Sequence, residues 1–374
     1  MTDTPPCTSD RDALLQVKDL SKVFGGGGLL FQRARPEIRA VDRISFSVRR
    51  GETLGIVGET GSGKSTLGRL LIRLLDPSGG RIVFDGRDIT HLAQSRVRHL
   101  RHEMQMVFQD PYGSLDPRMK VGSIVAEPML VHGTERSNIR HRTAEIMERV
   151  GLSPAMAERY PHEFSGGQRQ RIGIARAIAL DPKLLVLDEP VSALDVSIQA
   201  QILNLLRDIQ RQSGVAYIFI AHDLAVVRHI SERIAVMYLG RIVETAPRES
   251  LYAMPRHPYT ASLLSAVPIP NLKAERQRKR IALYGEIGSA TALPRGCRFH
   301  PRCFKARHVA AGGGVATTTL GNSVVVPSRC VDSEPQLDDD GSGHFAACHF
   351  PLEQSAAGLQ DTASFATKQR RRHS

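Results

Sequence analysis

The sequence predicts an α/β fold with an inserted helical subdomain and a small C-terminal extension that contains cysteines. Three observations support this fold class. The stretch Gly58–Thr66 fits the pattern G-x-x-x-x-G-K-[ST], in which successive backbone N–H groups curl round a phosphate. The uninterrupted apolar run Leu184–Leu187 is typical of a strand covered on both faces. Between these stretches, residues 115–180 show mainly helical periodicity.

The length and charge of the chain limit its class. Its 374 residues are enough for one large α/β domain and a smaller one. The 50 Lys and Arg residues exceed the 38 Asp and Glu residues, and the net charge of +12 leaves nucleic acid, an anionic membrane surface and a nucleotide open as partners. The N-terminus lacks the pattern of a secretory signal, and no run of about 18 apolar residues occurs. We therefore expect a cytoplasmic protein that does not itself cross the membrane.

The first third of the chain reads as strands around the phosphate loop, Gly58–Thr66. Alternating apolar residues predict a strand over Leu14–Phe24, and a second over Ile44–Val48 follows a Gly-rich and then basic stretch. Thr53–Val57 is predicted to be a buried strand, and Leu67–Leu74 has helical spacing. The loop therefore lies between a strand and a helix N-terminus, which is the setting that anion binding requires.

The rest of the chain continues the alternation of strands and helices and contains no internal repeat. Asp85-Gly86 supplies a hairpin turn. The pattern predicts a core rich in parallel strands. The predicted strands are Arg81–Phe84, Met104–Phe108, Leu184–Leu187, Ala216–Ala221, Ile234–Tyr238 and Arg241–Thr245, and the predicted helices are His91–His102, Val121–Val131, Asn138–Val150, Gln168–Leu180, Ile198–Gln212 and one after Asp223.

Composition divides the chain into four predicted segments. Residues 1–11 are expected to be disordered, and residues 12–250 to form the α/β domain, with its helical subdomain at about 115–180. Residues 251–352 form the C-terminal extension, and residues 353–374 a disordered basic tail.

Two carboxylates, Asp188 and Glu189, end the apolar strand that begins at Leu184. A buried acid is costly unless it binds a cation or is paired. Asp188 is therefore a candidate for orienting Mg²⁺, and Glu189 for polarising an attacking water. The alternative is a pair of capping acids in a loop.

Three further motifs strengthen the functional interpretation. Gln109 follows a strand and could touch the metal or the water, and His222 follows the strand Ala216–Ala221 and could lie beside the γ-phosphate. The stretch Ser165–Gln168 opens a helix, so that a hydroxyl, bare backbone and the positive helix end point outward together. Each motif alone would usually be structural. Their order along one chain is more informative.

These motifs together resemble the ATP-binding subunit of an ABC transporter, over roughly residues 12–250. The resemblance implies the P-loop NTPase fold of an ABC-type nucleotide-binding domain, with ATP and Mg²⁺ as cofactors. It assigns Ser65, Gln109 and Asp188 to Mg²⁺, and Lys64, Gln109, Glu189 and His222 to catalysis. The implied nucleotide-binding residues are Phe24 at the adenine, Gly58, Glu59, Thr60, Gly61, Ser62, Gly63, Lys64, Ser65 and Thr66 in Walker A, Gln109 in the Q-loop, Ser165, Gly166, Gly167 and Gln168 in the signature, and Asp188 in Walker B.

Phe24 has a second reading as a core residue of an edge strand. The resemblance also implies a head-to-tail dimer, in which Ser165 and Gly167 of one subunit cap the γ-phosphate held by Lys64 of the other.

A narrower resemblance links the chain to oligopeptide, dipeptide and nickel importers, and most to the second ATPase subunit of peptide importers. It rests on Phe108–Pro117, Tyr160–Phe164, and His257–Thr260 with Leu263–Pro268. It implies peptide uptake, a second ATPase subunit or a second copy of this chain, two membrane permeases, indirectly a solute-binding protein, and a position on the inner face of the cell membrane. There are two rival interpretations. One is a soluble ABC-type ATPase that acts on nucleic acid, which the net charge of +12 supports, and the other is a purely regulatory nucleotide-binding module.

Four cysteines, Cys297, Cys303, Cys330 and Cys348, follow in the extension. Thiolates spaced in this way can close on one soft metal site, either Zn²⁺ or an iron–sulfur cluster, although C-x₂-C is absent. Some importer ATPases that the extension resembles hold a [4Fe–4S] cluster with four such cysteines. This chain inserts Val309–Ser328 between the second and third, which we expect to lengthen a loop. The alternative is free thiols in a regulatory extension.

Overall fold

The computed structural model describes residues 13–26, 36–267, 280–283, 288–321 and 324–353. The predictions of disorder for residues 1–11 and 353–374 therefore fall, apart from Glu353, outside the described residues. The strands are β1 (Ala13–Phe24), β2 (Ile38–Arg49), β3 (Thr53–Val57), β4 (Gly79–Phe84), β5 (Arg87–Asp88), β6 (Met104–Val107), β7 (Leu184–Asp188), β8 (Ala216–Ala221), β9 (Arg233–Tyr238), β10 (Arg241–Pro247), β11 (Thr317–Leu320), β12 (Val324–Pro327), β13 (Asp338–Asp339) and β14 (Phe345–Ala346).

Helices connect these strands, and short 3₁₀ turns cover Pro154–Glu158, Pro161–Glu163 and His300–Arg302. None of the helices in the described part of the chain has the length and apolar content that a membrane crossing needs. The helices are α1 (Lys64–Leu71), α2 (Gln94–Leu100), α3 (Pro111–Ser114), α4 (Val121–Val131), α5 (Arg136–Arg149), α6 (Gly166–Ile178), α7 (Val196–Ser213), α8 (Leu224–Ile230), α9 (Arg248–Ala253), α10 (Pro258–Ala266), α11 (Phe304–Gly312) and α12 (Ser328–Asp332).

Over the described residues, the central sheet has eight strands in the order β13-β14-β10-β9-β3-β8-β7-β6. Five of them, from β9 to β6, run parallel, as the sequence predicts. All residues of β3, β7 and β8 are buried, because hydrophobic clusters lie on both faces of this sheet. Alternate side chains serve the two clusters: Leu185 and Leu187 join one, Leu184 and Val186 the other. The carboxyl ends of the parallel strands therefore lie along one edge of a sheet that is packed on both faces.

A second, antiparallel sheet has the order β2-β1-β4-β5 and contains the predicted hairpin at Asp85-Gly86. Strand β2 begins at Ile38, which is earlier than the predicted Ile44. The early part pairs with the end of β1 through irregular register, with Phe24 opposite Ile38 and Lys22 opposite Val41. Bulges of this kind break the alternation of side chains, so the pattern underestimated the strand.

The helices α4, α5 and α6 pack on one another beside the central sheet. Helix α4 has the bounds that its periodicity predicts and buries Val121, Ile124, Val125 and Met129. Helices α5 and α6 begin two residues before their predicted starts, Asn138 and Gln168. The shift in α6 makes Ser165 its N-cap, which matters for the site described below.

The extension adds to the central sheet instead of standing apart from it. Strand β14 pairs with β10, Glu244 lying opposite Ala346, and β13 pairs with β14. The prediction that Val309–Ser328 only lengthens a loop is wrong, because this insertion contributes the last turn of α11 and the hairpin of β11 and β12. Its Thr- and Val-rich composition suits a paired strand. The hairpin returns the chain to Cys297, whose N–H donates to the carbonyl of Cys330 at 2.9 Å.

Candidate nucleotide-binding and hydrolysis site

The phosphate loop connects the buried strand β3 to α1 and is pressed against neighbouring backbone. Gly63 has a φ of 101°, and a Cβ atom there would lie 2.0 Å from the carbonyl oxygen of Ala40. A Cβ atom at Gly58 would lie 2.1 Å from the carbonyl oxygen of Met237. Only glycine fits at either position, so the loop's shape is imposed by β2 and β9 as well as by its own sequence.

Lys64, the first residue of α1, is buried within this loop. Its Nζ donates to the carbonyl oxygens of Gly58 at 2.7 Å and Glu59 at 3.0 Å. Burial lowers the pKa of Lys64, against the attraction of Glu189, Asp188 and Glu59. Within the described residues no carboxylate forms a direct ion pair with it. A buried ammonium held by carbonyls at a helix N-terminus is suited to receive phosphate oxygens.

Asp188 ends β7 and is almost fully buried. Its Oδ1 accepts a hydrogen bond of 2.9 Å from the Oγ of Ser65. Burial raises the pKa of Asp188, and the hydrogen bond from Ser65 partly offsets this rise. A hydroxyl and a carboxylate oxygen are ligands that Mg²⁺ prefers, and a cation here would favour the charged carboxylate. These two residues therefore fit the Mg²⁺ that the sequence analysis expects.

Glu189 lies one residue further along, where three strand ends meet. Its Oε2 accepts a hydrogen bond of 3.2 Å from Nε2 of Gln109, which follows β6. Nδ1 of His222, which follows β8, is 3.0 Å from the same Oε2. Gln109 thus directs its amide to Glu189, and His222 serves the carboxylate as a donor if Nδ1 carries the proton. A carboxylate oriented by two neighbours is equipped to take a proton from water.

The backbone at Glu189 is unusual, with a φ of 47° in a non-glycine residue. Its N–H donates to the carbonyl of Ile220 in β8 at 3.0 Å, which fixes the turn after β7. Such strain is concentrated at functional sites, and here it falls on the residue that contacts both Gln109 and His222.

Within the described residues, no hydrogen bond joins the stretch Ser165–Gln168 to the phosphate loop. Ser165 caps α6: its Oγ accepts from the N–H of Gln168 at 3.4 Å, and Oε1 of Gln168 accepts from the N–H of Ser165 at 3.0 Å. A Cβ atom at Gly167 would lie 2.6 Å from Cγ2 of Ile198 in α7, so any larger residue there would have to displace the Ile198 side chain. Ser165 is exposed, and the hydrogen bonds that the structure gives this stretch remain within its own helix start.

Phe24 lies at the end of β1 with 37% of its surface exposed. The Nζ of Lys22 is 5.1 Å from the centre of its ring. Phe24 is therefore not the core residue that one of its two sequence interpretations required. An exposed ring remains available for stacking.

Sequence reasoning missed the contacts that the extension makes with the phosphate loop. Arg302 forms a two-pronged ion pair with the carboxylate of Glu59, at 2.8 and 3.1 Å. The hydroxyl of Tyr259 accepts the N–H of Glu59 at 2.8 Å. No local pattern predicts these pairs, because the partners are 243 and 200 residues apart.

All four cysteines of the extension line one small cavity, together with His257, His300 and His349. We call this cavity the cysteine pocket. Cys297, Cys303 and Cys330 are buried, and all four are free thiols. Burial raises the pKa of Cys330 and Cys348 to about 12 and that of Cys303 well above its usual range. In the described part of the chain, no three or more His, Cys, Asp or Glu side chains are placed so as to hold a metal ion. The four thiols predicted to bind Zn²⁺ or an iron–sulfur cluster therefore lie around one cavity, but their side chains are not spaced as the ligands of a metal ion.

The phosphate loop, the Ser65–Asp188 pair and the oriented Glu189 define a nucleotide-hydrolysing P-loop protein, and the separate helix start at Ser165 narrows the class to ATP-binding cassettes. The family model of the ABC transporter matches residues 41–192, and that of the oligopeptide/dipeptide transporter C-terminal region matches residues 243–309. The oligopeptide transport ATP-binding protein AppF of Bacillus subtilis is 46% identical over 91% of this chain and 98% of its own length. The probable peptide ABC transporter ATP-binding protein y4tS of Sinorhizobium fredii is 48% identical over 94% of both chains.

The chain belongs to the ATP-binding subunits of ABC-type oligopeptide and dipeptide transporters. Solved cassettes share its fold: cbiO1 of Clostridium perfringens, part of the transporter complex cbiONQ, aligns over 65% of this chain and 92% of its own at a TM-score of 0.57 and 29% identity. The cassette MJ0796, in a dimeric post-hydrolysis state bound to ADP and Pi, aligns over 63% of this chain and 98% of its own at a TM-score of 0.56 and 26% identity. As a family member the chain is an ATP hydrolase that uses ATP and Mg²⁺, and it works with paired cassettes and membrane permeases.

Proposed function

We propose that this chain hydrolyses ATP to drive uptake of oligopeptides or dipeptides, as a peripheral subunit on the inner face of the cell membrane. The relatives named above, which are oligopeptide and peptide transport proteins over almost their whole length, support the choice of substrate. Import, and not export, follows the resemblance to peptide importers.

The catalytic part of the proposal rests on one observation. Gln109 and His222 both contact the same carboxylate oxygen, Oε2, of Glu189. In the proposed reaction Glu189 accepts a proton from the attacking water, and Gln109 and His222 hold its carboxylate in place. Lys64 and the backbone of the phosphate loop receive the β- and γ-phosphates. Ser65 and Asp188 hold the Mg²⁺, which neutralises phosphate charge when bound.

The second part of the proposal is a site shared between two cassettes. Ser165 presents an exposed hydroxyl at a helix N-terminus, but its own hydrogen bonds stay within that helix start. An exposed hydroxyl in this setting favours, as the ligand of Ser165, the γ-phosphate of a nucleotide held by another subunit. The other subunit is a different ATPase or a second copy of this chain, and the assembly includes two permeases and receives peptide from a solute-binding protein.

Uptake of labelled short peptides into vesicles that contain the assembled transporter tests the proposal. We expect uptake to require ATP on the side of the cassettes and to be lost in Lys64→Ala. Lys18→Ala, a lysine on the exposed face of β1, is the matched control and should keep the wild-type rate. Uptake without ATP, movement in the opposite direction, or transport of a different solute only would contradict it.

The third part concerns the cysteine pocket, for which we propose a metal centre bound by Cys297, Cys303, Cys330 and Cys348. The convergence of four thiols supports it, whereas their spacing does not suit a single ion as the side chains lie. A [4Fe–4S] cluster is wider than one Zn²⁺ and separates its thiolates further, so the cluster is the better candidate. Iron and zinc analysis with a visible absorption spectrum of anaerobically purified protein decides. A folded, colourless and metal-free chain would leave only free thiols.

A further inference from the structure

We infer that Arg302 of the extension is a positioning residue of the nucleotide site, because it holds Glu59 and thereby the first half of the phosphate loop. This inference rests on the proposed nucleotide site. It gives the extension a direct part in ATP binding, which no motif of the cassette requires.

The contact between Arg302 and Glu59 is a largely buried ion pair with two hydrogen bonds. Nη1 of Arg302 donates to Oε2 of Glu59 at 2.8 Å and Nη2 to Oε1 at 3.1 Å, so both oxygens of the carboxylate are engaged. The Arg302 side chain is 8% exposed and that of Glu59 is 20% exposed. A planar guanidinium that grips a carboxylate in this way fixes both its position and its orientation.

The backbone of Glu59 is held from the same side. The hydroxyl of Tyr259 in α10 accepts its N–H at 2.8 Å, and the Tyr238 hydroxyl lies 3.4 Å from Nη1 of Arg302. The rings of Tyr238, Tyr259 and Phe299 pack together, with centres 4.7 to 5.4 Å apart. Phe299 lies three residues before Arg302. The aromatic cluster therefore fixes the position of the Arg302 guanidinium relative to the phosphate loop.

The negative charge of Glu59 explains why its ion pair with Arg302 matters for nucleotide binding. The carbonyl of Glu59 is 3.0 Å from Nζ of Lys64, and the carboxylate of Glu59 acts on the pKa of that lysine. A carboxylate released beside the phosphate loop would repel the polyphosphate and compete with it for Lys64. Arg302 neutralises this carboxylate and keeps it turned towards the extension.

A double-mutant cycle on the full-length chain, with the Kd for MgATP measured by titration calorimetry, tests the inference. Loss of a charged hydrogen-bonded pair predicts that Arg302→Gln weakens MgATP binding by roughly tenfold or more. In a Glu59→Gln background the same substitution should change the Kd by less than about twofold, because no carboxylate is then left to be released. Arg302→Lys, which keeps the charge and loses the fork, should lie between.

Arg256→Gln is the matched control. Arg256 is another partly buried arginine of the extension; it donates to the carbonyl of His344 at 2.7 Å and pairs with Asp340 at 3.6 Å, and both partners belong to the extension. The MgATP affinity of this variant should stay within about twofold of wild type. Equal weakening by Arg256→Gln and Arg302→Gln, unchanged binding in Arg302→Gln, or absence of coupling in the cycle would overturn the inference.

Two measurements keep the outcomes separate. Thermal unfolding of each variant identifies one that fails to fold, and Arg302→Lys then carries the test. Lys64→Ala reports on the nucleotide site itself: unchanged MgATP binding in that variant would contradict the proposed function. Lost binding in Lys64→Ala with normal binding in Arg302→Gln would contradict only the role of Arg302.

Discussion

The nucleotide site and the cysteine pocket are both buried meeting points of distant segments, but they differ in whether their ionisable groups are already held by hydrogen-bond partners. In the nucleotide site, Lys64 and Asp188 each have hydrogen-bond partners that fix their position before any ligand arrives. In the cysteine pocket, burial raises the pKa of the thiols, with Cys330 and Cys348 at about 12, so their protonated forms are favoured. The first site is prepared for a charged ligand. The second must release protons before it can bind a metal, so its loading depends on pH.

The largest effect is expected at the oriented carboxylate. Glu189→Gln should leave MgATP binding intact but lower kcat for ATP hydrolysis by ~10²–10⁴-fold, because the general base is removed while the shape is kept. Phosphate release by the assembled transporter measures this. Glu145→Gln, at an exposed glutamate of α5, is the control and should hydrolyse at the wild-type rate. Wild-type turnover in Glu189→Gln would remove this residue from the proposed mechanism.

Alkylation sharpens the other side of the comparison. At pH 8 a thiol with a pKa of about 12 has far less thiolate than an ordinary cysteine, so metal-free folded protein should alkylate at Cys330 and Cys348 ~10³-fold more slowly than unfolded protein. Mass spectrometry after timed iodoacetamide treatment reads each site. A small free thiol added to the same reaction serves as the reference. Fast labelling of folded protein at Cys330 would mean that the pocket is open and the contrast between the sites is false.

His257, one of the histidines that line the cysteine pocket, extends the comparison to acid pH. Burial lowers the pKa of His257 from 6.5 to about 4, against the attraction of Glu244. The unfolded chain therefore binds this proton more readily, and stability is lost as pH falls from about 6.5 towards 4. At pH 5 the loss relative to pH 7 is ~2 kcal/mol.

Urea unfolding at the two pH values measures that loss. His257→Asn is the control, since asparagine can still accept the N–H of Tyr259 as an N-cap but does not titrate. The wild type should lose ~2 kcal/mol more than this variant between pH 7 and 5. Equal losses would show that His257 does not titrate across this range.

The smallest effect is expected at Gly61, in the middle of the phosphate loop. Its φ is 82°, yet a Cβ atom there would meet nothing within 4 Å, whereas one at Gly63 would lie 2.0 Å from Ala40. Gly61→Ala should thus cost only the backbone strain of ~1–2 kcal/mol in unfolding free energy. Gly63→Ala should cost more and weaken MgATP binding, as unfolding and calorimetry would reveal. Equal costs would mean that the neighbouring strands do not shape the loop.

The sequence could predict what depends on local spacing. Each of these residues lies at, or just beyond, the end of a strand or helix with a clear period, and parallel strands bring such ends to one edge: Lys64, Gln109, Asp188, Glu189 and His222. Their assigned roles remain predictions that the experiments above address.

What the sequence could not predict depends on contacts between distant segments. Bulges break the alternation at the start of β2, and the hairpin of β11 and β12 is recognisable only from the pairing of its two short strands. The pair of Arg302 and Glu59 joins residues 243 positions apart, and neither belongs to a pattern that names the other. Through-space pairing of single charges leaves no periodic trace in a sequence.

The strand β14 also bears on how this protein could be shortened. It covers β10 at one side of the central sheet, and His344 of the extension meets the fully buried carboxylate of Glu244 at 2.6 Å. A chain cut near residue 250 would lose both and expose a row of unpaired main-chain groups to neighbouring molecules. We therefore expect such a fragment to precipitate. The first 250 residues would need the segment that completes their sheet in order to stay in solution.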